Sequence, residues 1–195
     1  MFAQLLAPPS FIESHPILVN ICCSLTASLV FLFIVLLFFK PKIEISPFIT
    51  KGPGPRANER IAFTIKIVNR SWFTAYDVRV EMHTMKKIPT PPQNTMNTIA
   101  TPIKLVYDYL STLDAYRPRW FQNDDKHCVR FRTLEDLSAI LLDDMASIEV
   151  RVILRHGLTG LSNVHRQEYS DPSQLELGRF TSGSKFGLLP LPVAN

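Results

Sequence analysis

The sequence predicts a mainly β protein: one N-terminal transmembrane helix, then an antiparallel immunoglobulin-like β-sandwich with one short helix. Three observations carry this. Ile17–Phe39 is 23 residues long without a charge. Past Lys42 the apolar period drops to two in one segment after another, the period of strands with one face buried. Turn signals separate some seven such segments, with one short helix among them, over the rest of the chain.

Charge is distributed along the chain as this division requires. Residues 1–39 carry no Lys or Arg and one acid, Glu13, whereas residues 40–195 hold all 21 basic residues and 16 acids. With 46% hydrophobic residues the chain can build a core and is not expected to be disordered. Three cysteines in 195 residues rule out a disulfide-dense secreted scaffold. The expected organisation is a short tail over 1–16, the helix over 17–39, a juxtamembrane segment and first strand over 40–60, a sandwich over 42–183 and a tail over 184–195.

As a helix, Ile17–Phe39 reaches about 34 Å, enough to cross a ~30 Å hydrocarbon layer with some tilt. Lys40 and Pro41 stop it. A cleaved signal peptide would want a basic n-region and an Ala-x-Ala-like site, and neither is present, so an uncleaved anchor is expected. Lys40, Lys42, Lys51 and Arg56 follow the helix and no basic side chain precedes it. Positive-inside then places the chain in a cell inner membrane, N-terminus outside and C-terminal domain cytosolic. In the cytosol the Asn69-Arg70-Ser71 sequon would stay unmodified and Cys128 would stay a thiol. Asn20, Ser24 and Ser28 lie four residues apart, a small-polar row suited to helix association and a homo-oligomer.

The strands follow in order. Ile43 and Ile45 alternate with Lys42 and Glu44, and Gly52-Pro53-Gly54-Pro55 marks a turn. Ile61, Phe63, Ile65 and Ile67 alternate with Ala62, Thr64 and Lys66, a half-buried strand. Tyr76, Val78, Val80 and Met82 alternate with Asp77, Arg79, Glu81 and His83. Pro89, Pro91 and Pro92 predict a bend or loop. Ile103, Leu105, Tyr107 and Tyr109 predict a third strand, Val129 and Phe131 a short fourth, Ile148–Leu154 a fifth, with Val164–Tyr169 and Leu175–Phe180 last. Ile65, Val80 and Val152 are expected at buried strand centres. Thr133-Leu-Glu-Asp136 reads as a capping box opening a helix over roughly 134–144.

Three segments, Ile65–Val80, Arg155–Ser162 and Gly178–Gly183, resemble an uncharacterised family of small bacterial single-pass membrane proteins with a C-terminal immunoglobulin-like β-sandwich. The resemblance implies the architecture and no activity. The Asn69-Arg-Ser71 and Tyr76-Asp-Val78 pattern also resembles adhesion-type immunoglobulin-like modules of bacterial surface proteins.

Chemistry is sparse. His127 and Cys128 are neighbours, so on a strand they face opposite ways and form no dyad. The pairs Asp124-Asp125 and Asp143-Asp144 match no calcium loop, and the histidines have no zinc-ligand spacing. No phosphate-binding glycine motif occurs. Thus no catalytic residue, metal or cofactor is expected, and the protein is not expected to be an enzyme. Tyr116-Arg117-Pro118-Arg119-Trp120-Phe121 could bring Arg117, Arg119 and Trp120 to an anion or a partner, or simply pack its aromatics in the core. Nucleic acid is disfavoured because the basic excess is dispersed.

The expected function is a membrane-anchored non-enzymatic interaction module presenting a cytosolic β-sandwich to a protein partner, with membrane lipid around its helix. Its alternatives are an oligomeric, channel-like membrane effector with a ligand-sensing domain, and an outward-facing adhesion or envelope domain.

Overall fold

The structure, a computed structural model, describes residues 16–38, 42–54, 61–90, 95–116, 125–156 and 160–191. The chain divides into two compact units, Met1–Lys40 and Pro41–Asn195. The first holds helix α1, Pro16–Phe38, 23 residues with no charged side chain. No residue of Ile17–Val35 is buried within the chain, and α1 is long and apolar enough to cross a membrane.

In chain order the second unit contains β1 (Ile43–Ile45), β2 (Ile49–Pro53), β3 (Ile61–Asn69), β4 (Ala75–Thr90), β5 (Thr95–Ile103), β6 (Tyr109–Leu113) and β7 (Cys128–Thr133). Then come α2 (Ser138–Leu141), β8 (Ala146–His156), β9 (Ser162–Tyr169), a 3₁₀ turn (Pro172–Gln174), β10 (Leu175–Leu177), β11 (Arg179–Phe180) and β12 (Leu188–Leu189). The fold is mainly β, built from two principal sheets that share one core.

In the first sheet β3 is central. It pairs antiparallel with β7 on one edge and with β1 and then β2 on the other. β1 and β2 are one strand interrupted at Ser46–Phe48. Ser46 holds the interruption: its N–H donates to the Lys66 carbonyl at 2.8 Å, and the Lys66 N–H donates to its hydroxyl at 3.2 Å. The Tyr169 hydroxyl, fully buried, donates to the Ser46 carbonyl at 2.6 Å. β10 runs beside β2 in parallel, the exception to the antiparallel pattern among the described strands.

In the second sheet β4 is central. β8 lies on one edge with β9 outside it, while β6 and β5 lie end to end along the other. Ile45, Phe63, Ile65, Ile67 and Phe131 from the first sheet meet Val78, Val80, Met82, Ile148, Val150 and Val152 from the second in one apolar cluster. Ile65, Val80 and Val152 are all buried, as their strand-centre positions predict.

Several expectations need correction. Tyr76 is exposed and Ala75 takes the inward position. The register of β4 against β8 shifts between Tyr76 and Arg79, and Asp77 sits there at φ 51°. This β-bulge places two outward residues in succession, so the two-residue period read through Tyr76 is out of phase. β3 is buried on both faces, not one, because the C-terminal segment covers its outer side. The bend or loop expected from Pro89, Pro91 and Pro92 does not begin at Pro89: β4 continues through it to Thr90 and pairs with β5, an edge strand, where a proline is tolerated, while Pro91 and Pro92 lie outside the described residues. The third strand is divided: β5 ends at Ile103, Leu105 bridges Thr133 of the other sheet, and β6 starts at Tyr109.

The helix over 134–144 shrinks to one turn. Thr133 is buried at the end of β7, its hydroxyl donating to the Lys104 carbonyl at 2.7 Å and accepting from the Glu135 N–H at 3.2 Å. The turn is entered later, where the Asp136 carboxylate accepts the Ser138 N–H at 3.0 Å. Leu137 and Leu141 are buried and Leu134 is exposed, so this segment contributes two core side chains rather than an amphipathic helix.

Candidate functional site

On α1, Asn20, Ser24 and Ser28 are exposed and fall at the four-residue spacing that aligns side chains on one helix face. Hydroxyls elsewhere on the helix are satisfied locally: Thr26 donates to the Cys22 carbonyl at 2.8 Å. Arg117, Arg119 and Trp120 lie outside the described residues. The structure therefore tests no contact between these two groups of candidates.

Several of the residues considered for chemistry have structural partners, while Asp124 lies outside the described residues. The Cys128 thiol donates to the Asp125 carbonyl at 3.1 Å, and burial pushes its pKa up, away from the thiolate a nucleophile needs. His127 stacks edge-on with Tyr116 at 5.5 Å between ring centroids. Asp143 pairs with Lys86 at 2.8 Å, and that hydrogen bond holds its carboxyl below the usual range. Among the described residues no group of three His, Cys, Asp or Glu is placed to hold a metal ion.

The sequon residue Asn69 is fully buried. Its amide donates to the Phe73, Asp114 and Leu113 carbonyls at 2.9, 3.0 and 3.3 Å, and its oxygen accepts from the Ser71 N–H at 2.9 Å. These bonds fasten the end of β3 to the end of β6. Asn-Arg-Ser is thus a turn-closing motif, and its amide is inaccessible to a glycan.

Two surfaces stand out that sequence reasoning missed. The first is the β4–β5 ribbon. β8 ends its pairing with β4 at Lys86, so residues 87–90 and 95–98 extend beyond the sheet as two strands only. β5 is an edge strand, exposed from Thr95 to Pro102, and Thr-Met-Asn-Thr-Ile-Ala-Thr-Pro-Ile carries no charge. Met96 and Ile99 stand 55% and 52% exposed, among the least protected apolar side chains of the β unit. The available signal was the β-branched content of Thr95–Ile103, which the neighbouring prolines masked.

The second surface is the outer face of the first sheet. Thr50, Thr64 and Arg132 are cross-strand partners in one row of that face, and Lys66 pairs with Arg130 in the next. Lys66 is fully buried there by the residues following β11: its ammonium donates to the Thr181 and Lys185 carbonyls at 2.7 and 2.9 Å. Burial lowers its pKa. Phe180 anchors the cover by stacking on Phe48 at 5.3 Å.

No family model matches the chain, and no curated protein matches it. Among solved structures it is similar to Spo0M, a sporulation control protein from Bacillus subtilis, at 12% identity with a TM-score of 0.36. That match covers 70% of this chain and 49% of the other, so this chain spans about half the length of that neighbour. A likeness at this level carries no argument about activity. The resemblance to small bacterial single-pass proteins therefore rests on the quoted sequence segments alone.

Proposed function

We propose that this protein is a membrane-anchored, non-enzymatic interaction module. α1 lies in lipid, and the β-sandwich, of immunoglobulin-like kind, meets a protein partner on the cytosolic side of a cell inner membrane. One observation carries the reading: β5 is a nine-residue, charge-free, solvent-exposed edge strand. Edges are ordinarily blunted by charge, coverage or brevity, because their unpaired N–H and C=O groups recruit further strands. Two turns of chemistry elsewhere support it. Cys128 and Asp143 are occupied by structural hydrogen bonds, and the edge offers main-chain bonding together with the Met96 and Ile99 side chains, which is how strand addition achieves affinity and selectivity.

The test uses the full chain in its own membranes. A photo-crosslinking amino acid at Met96 or Ile99 is expected to yield a discrete protein adduct, whereas the same group at Arg166 on β9 yields none. Ile99→Lys with Thr101→Lys should abolish the adduct by restoring a charged edge. Equal labelling from β5 and β9, or none from either, would defeat the reading.

A second reading has its own support. The Asn20, Ser24 and Ser28 row favours helix–helix association, so the protein would act as a homo-oligomeric, channel-like effector. Self-association does not exclude a partner at β5.

A further inference from the structure

A cavity of about 260 Å³ opens on the outer face of the first sheet. Its floor is the row of Thr50, Thr64 and Arg132, its side is Arg130, and its far wall is Gly178 and Arg179 at the start of β11. Three arginines from two separate elements therefore line one small space. No acidic side chain is among the described residues that line it. Arg130 is partly occupied, donating to the Thr181 carbonyl at 3.2 Å. Arg132 and Arg179 form no ion pair among the described residues, whereas Arg70, Arg151, Arg155 and Arg166 all have carboxylate partners. Among the described residues, these four arginines are thus paired with carboxylates while Arg132 and Arg179 at the cavity are not.

The wall is also fixed by backbone. Gly178 has φ 147°, and a Cβ there would lie 2.8 Å from the Leu189 carbonyl oxygen. A Cβ on Gly52 would meet the Gly178 carbonyl oxygen at 2.9 Å. Two glycines let β2 and the β11 segment approach closely enough to hold Arg179 against the sheet that carries Arg130 and Arg132.

We infer that this cavity is a binding site for a phosphate group, held by the Arg132 and Arg179 guanidinium forks with Arg130 and the Thr50 and Thr64 hydroxyls around it. Like charges brought together repel, and a dianion removes that repulsion. The planar fork matches phosphate oxygens two at a time, which a lysine cannot do. The volume suits a phosphate group with its first attached atoms, not a nucleotide. The same chemistry is offered by a free phosphomonoester and by the headgroup of an anionic lipid. This inference is independent of the β5 edge.

The experiment follows thermal unfolding of the full chain in a neutral detergent, in phosphate-free buffer. Inorganic phosphate, glycerol 3-phosphate and micelles doped with phosphatidic acid are the three probes, with chloride at matched ionic strength as the control. A site that binds only the folded chain raises the melting temperature progressively as free ligand exceeds its Kd. A rise with glycerol 3-phosphate or phosphate identifies a soluble source, and a rise confined to phosphatidic acid identifies a lipid. In either case Arg132→Gln with Arg179→Gln should weaken the response about tenfold or more and leave the ligand-free transition unchanged or raised. Arg132→Lys and Arg179→Lys, which keep charge but lose the fork, should fall between. No response to any of the three probes beyond the chloride control, or the same response in the double Gln variant, would overturn the site.

Discussion

Asn69 shows how one polar side chain can hold two strands that share no ladder. Four of its hydrogen bonds run to Phe73, Leu113, Asp114 and Ser71, those to Leu113 and Ser71 buried and those to Phe73 and Asp114 part-buried. Replacing it by Ala removes these four bonds together, and a buried group left unsatisfied costs about 1–3 kcal/mol. Asn69→Ala should therefore lower stability by about 3 kcal/mol or more, read as a fall in the denaturant midpoint of the detergent-solubilised chain. An unchanged midpoint would mean the turn is held by other groups. His156 gives a pH signature. It is buried at the end of β8, edge-on to Phe73 at 5.0 Å, and burial lowers its pKa. An unfolded His binds a proton near pH ~6.5, which the folded site rejects, so the unfolded state holds more protons just below that value. Stability from this residue is complete above about pH 6.5 and declines as pH falls through the window beneath it. The melting temperature should drop between about pH 7 and 5, with a shallower slope in His156→Asn. An identical slope in the variant would assign the acid sensitivity elsewhere. Val152 and Ile65 were legible at this scale because alternation alone decides their face. Lys66 was not, because the cover that buries it comes from residues more than a hundred positions away.

Among the elements, local pattern predicted those whose neighbours agree with it. β8 reads cleanly because it lies between β4 and β9 with one face to the core. β5 was hidden because none of its first eight residues is buried, so burial imposes no alternation on it. The expected helix after Thr133 failed for a physical reason: Thr133 was already committed to the sheet and to Lys104, and only one turn fits before β8 begins. The Asp77 bulge could be guessed only from the residue type, since Asp is among the few that tolerate a left-handed backbone. α1 is the opposite case, fully legible from length and composition. Its Asn20, Ser24 and Ser28 row gives a prediction of its own. Asn20→Leu with Ser24→Leu should weaken self-association of the helix in a membrane two-hybrid assay. The change should be modest, since interhelical hydrogen bonds in membranes average about 0.6 kcal/mol. An unaltered signal would leave the three residues as ordinary polar passengers.

At the scale of the whole molecule, the proposed anchoring of α1 in a membrane raises the question of which side would hold the β unit. The charges make an asymmetric demand. Residues 1–16 carry one acid and no Lys or Arg, while Lys40, Lys42, Lys51 and Arg56 follow the helix directly. Carrying each of those cations outward across the potential costs about 2.3 kcal/mol per 100 mV, so the proposed orientation keeps the Lys/Arg-rich flank of the helix inside. The thiols agree: Cys22 and Cys23 are on α1, and Cys128 is the sole cysteine of the β unit, where no internal disulfide can form. The buried Asn69 adds that the sequon offers no reason to place the domain outside. A fluorescent protein fused after Asn195 in a bacterial host should therefore fluoresce, and a phosphatase fused there should be inactive. In intact cells Cys128 should react with a membrane-permeant thiol reagent and resist an impermeant one, slowly in both respects because the thiol is partly buried. An active phosphatase would invert the topology. The β5 edge would then face the envelope, the adhesion reading would displace the cytosolic module, and a lipid source for the arginine cavity would have to lie in the outer leaflet.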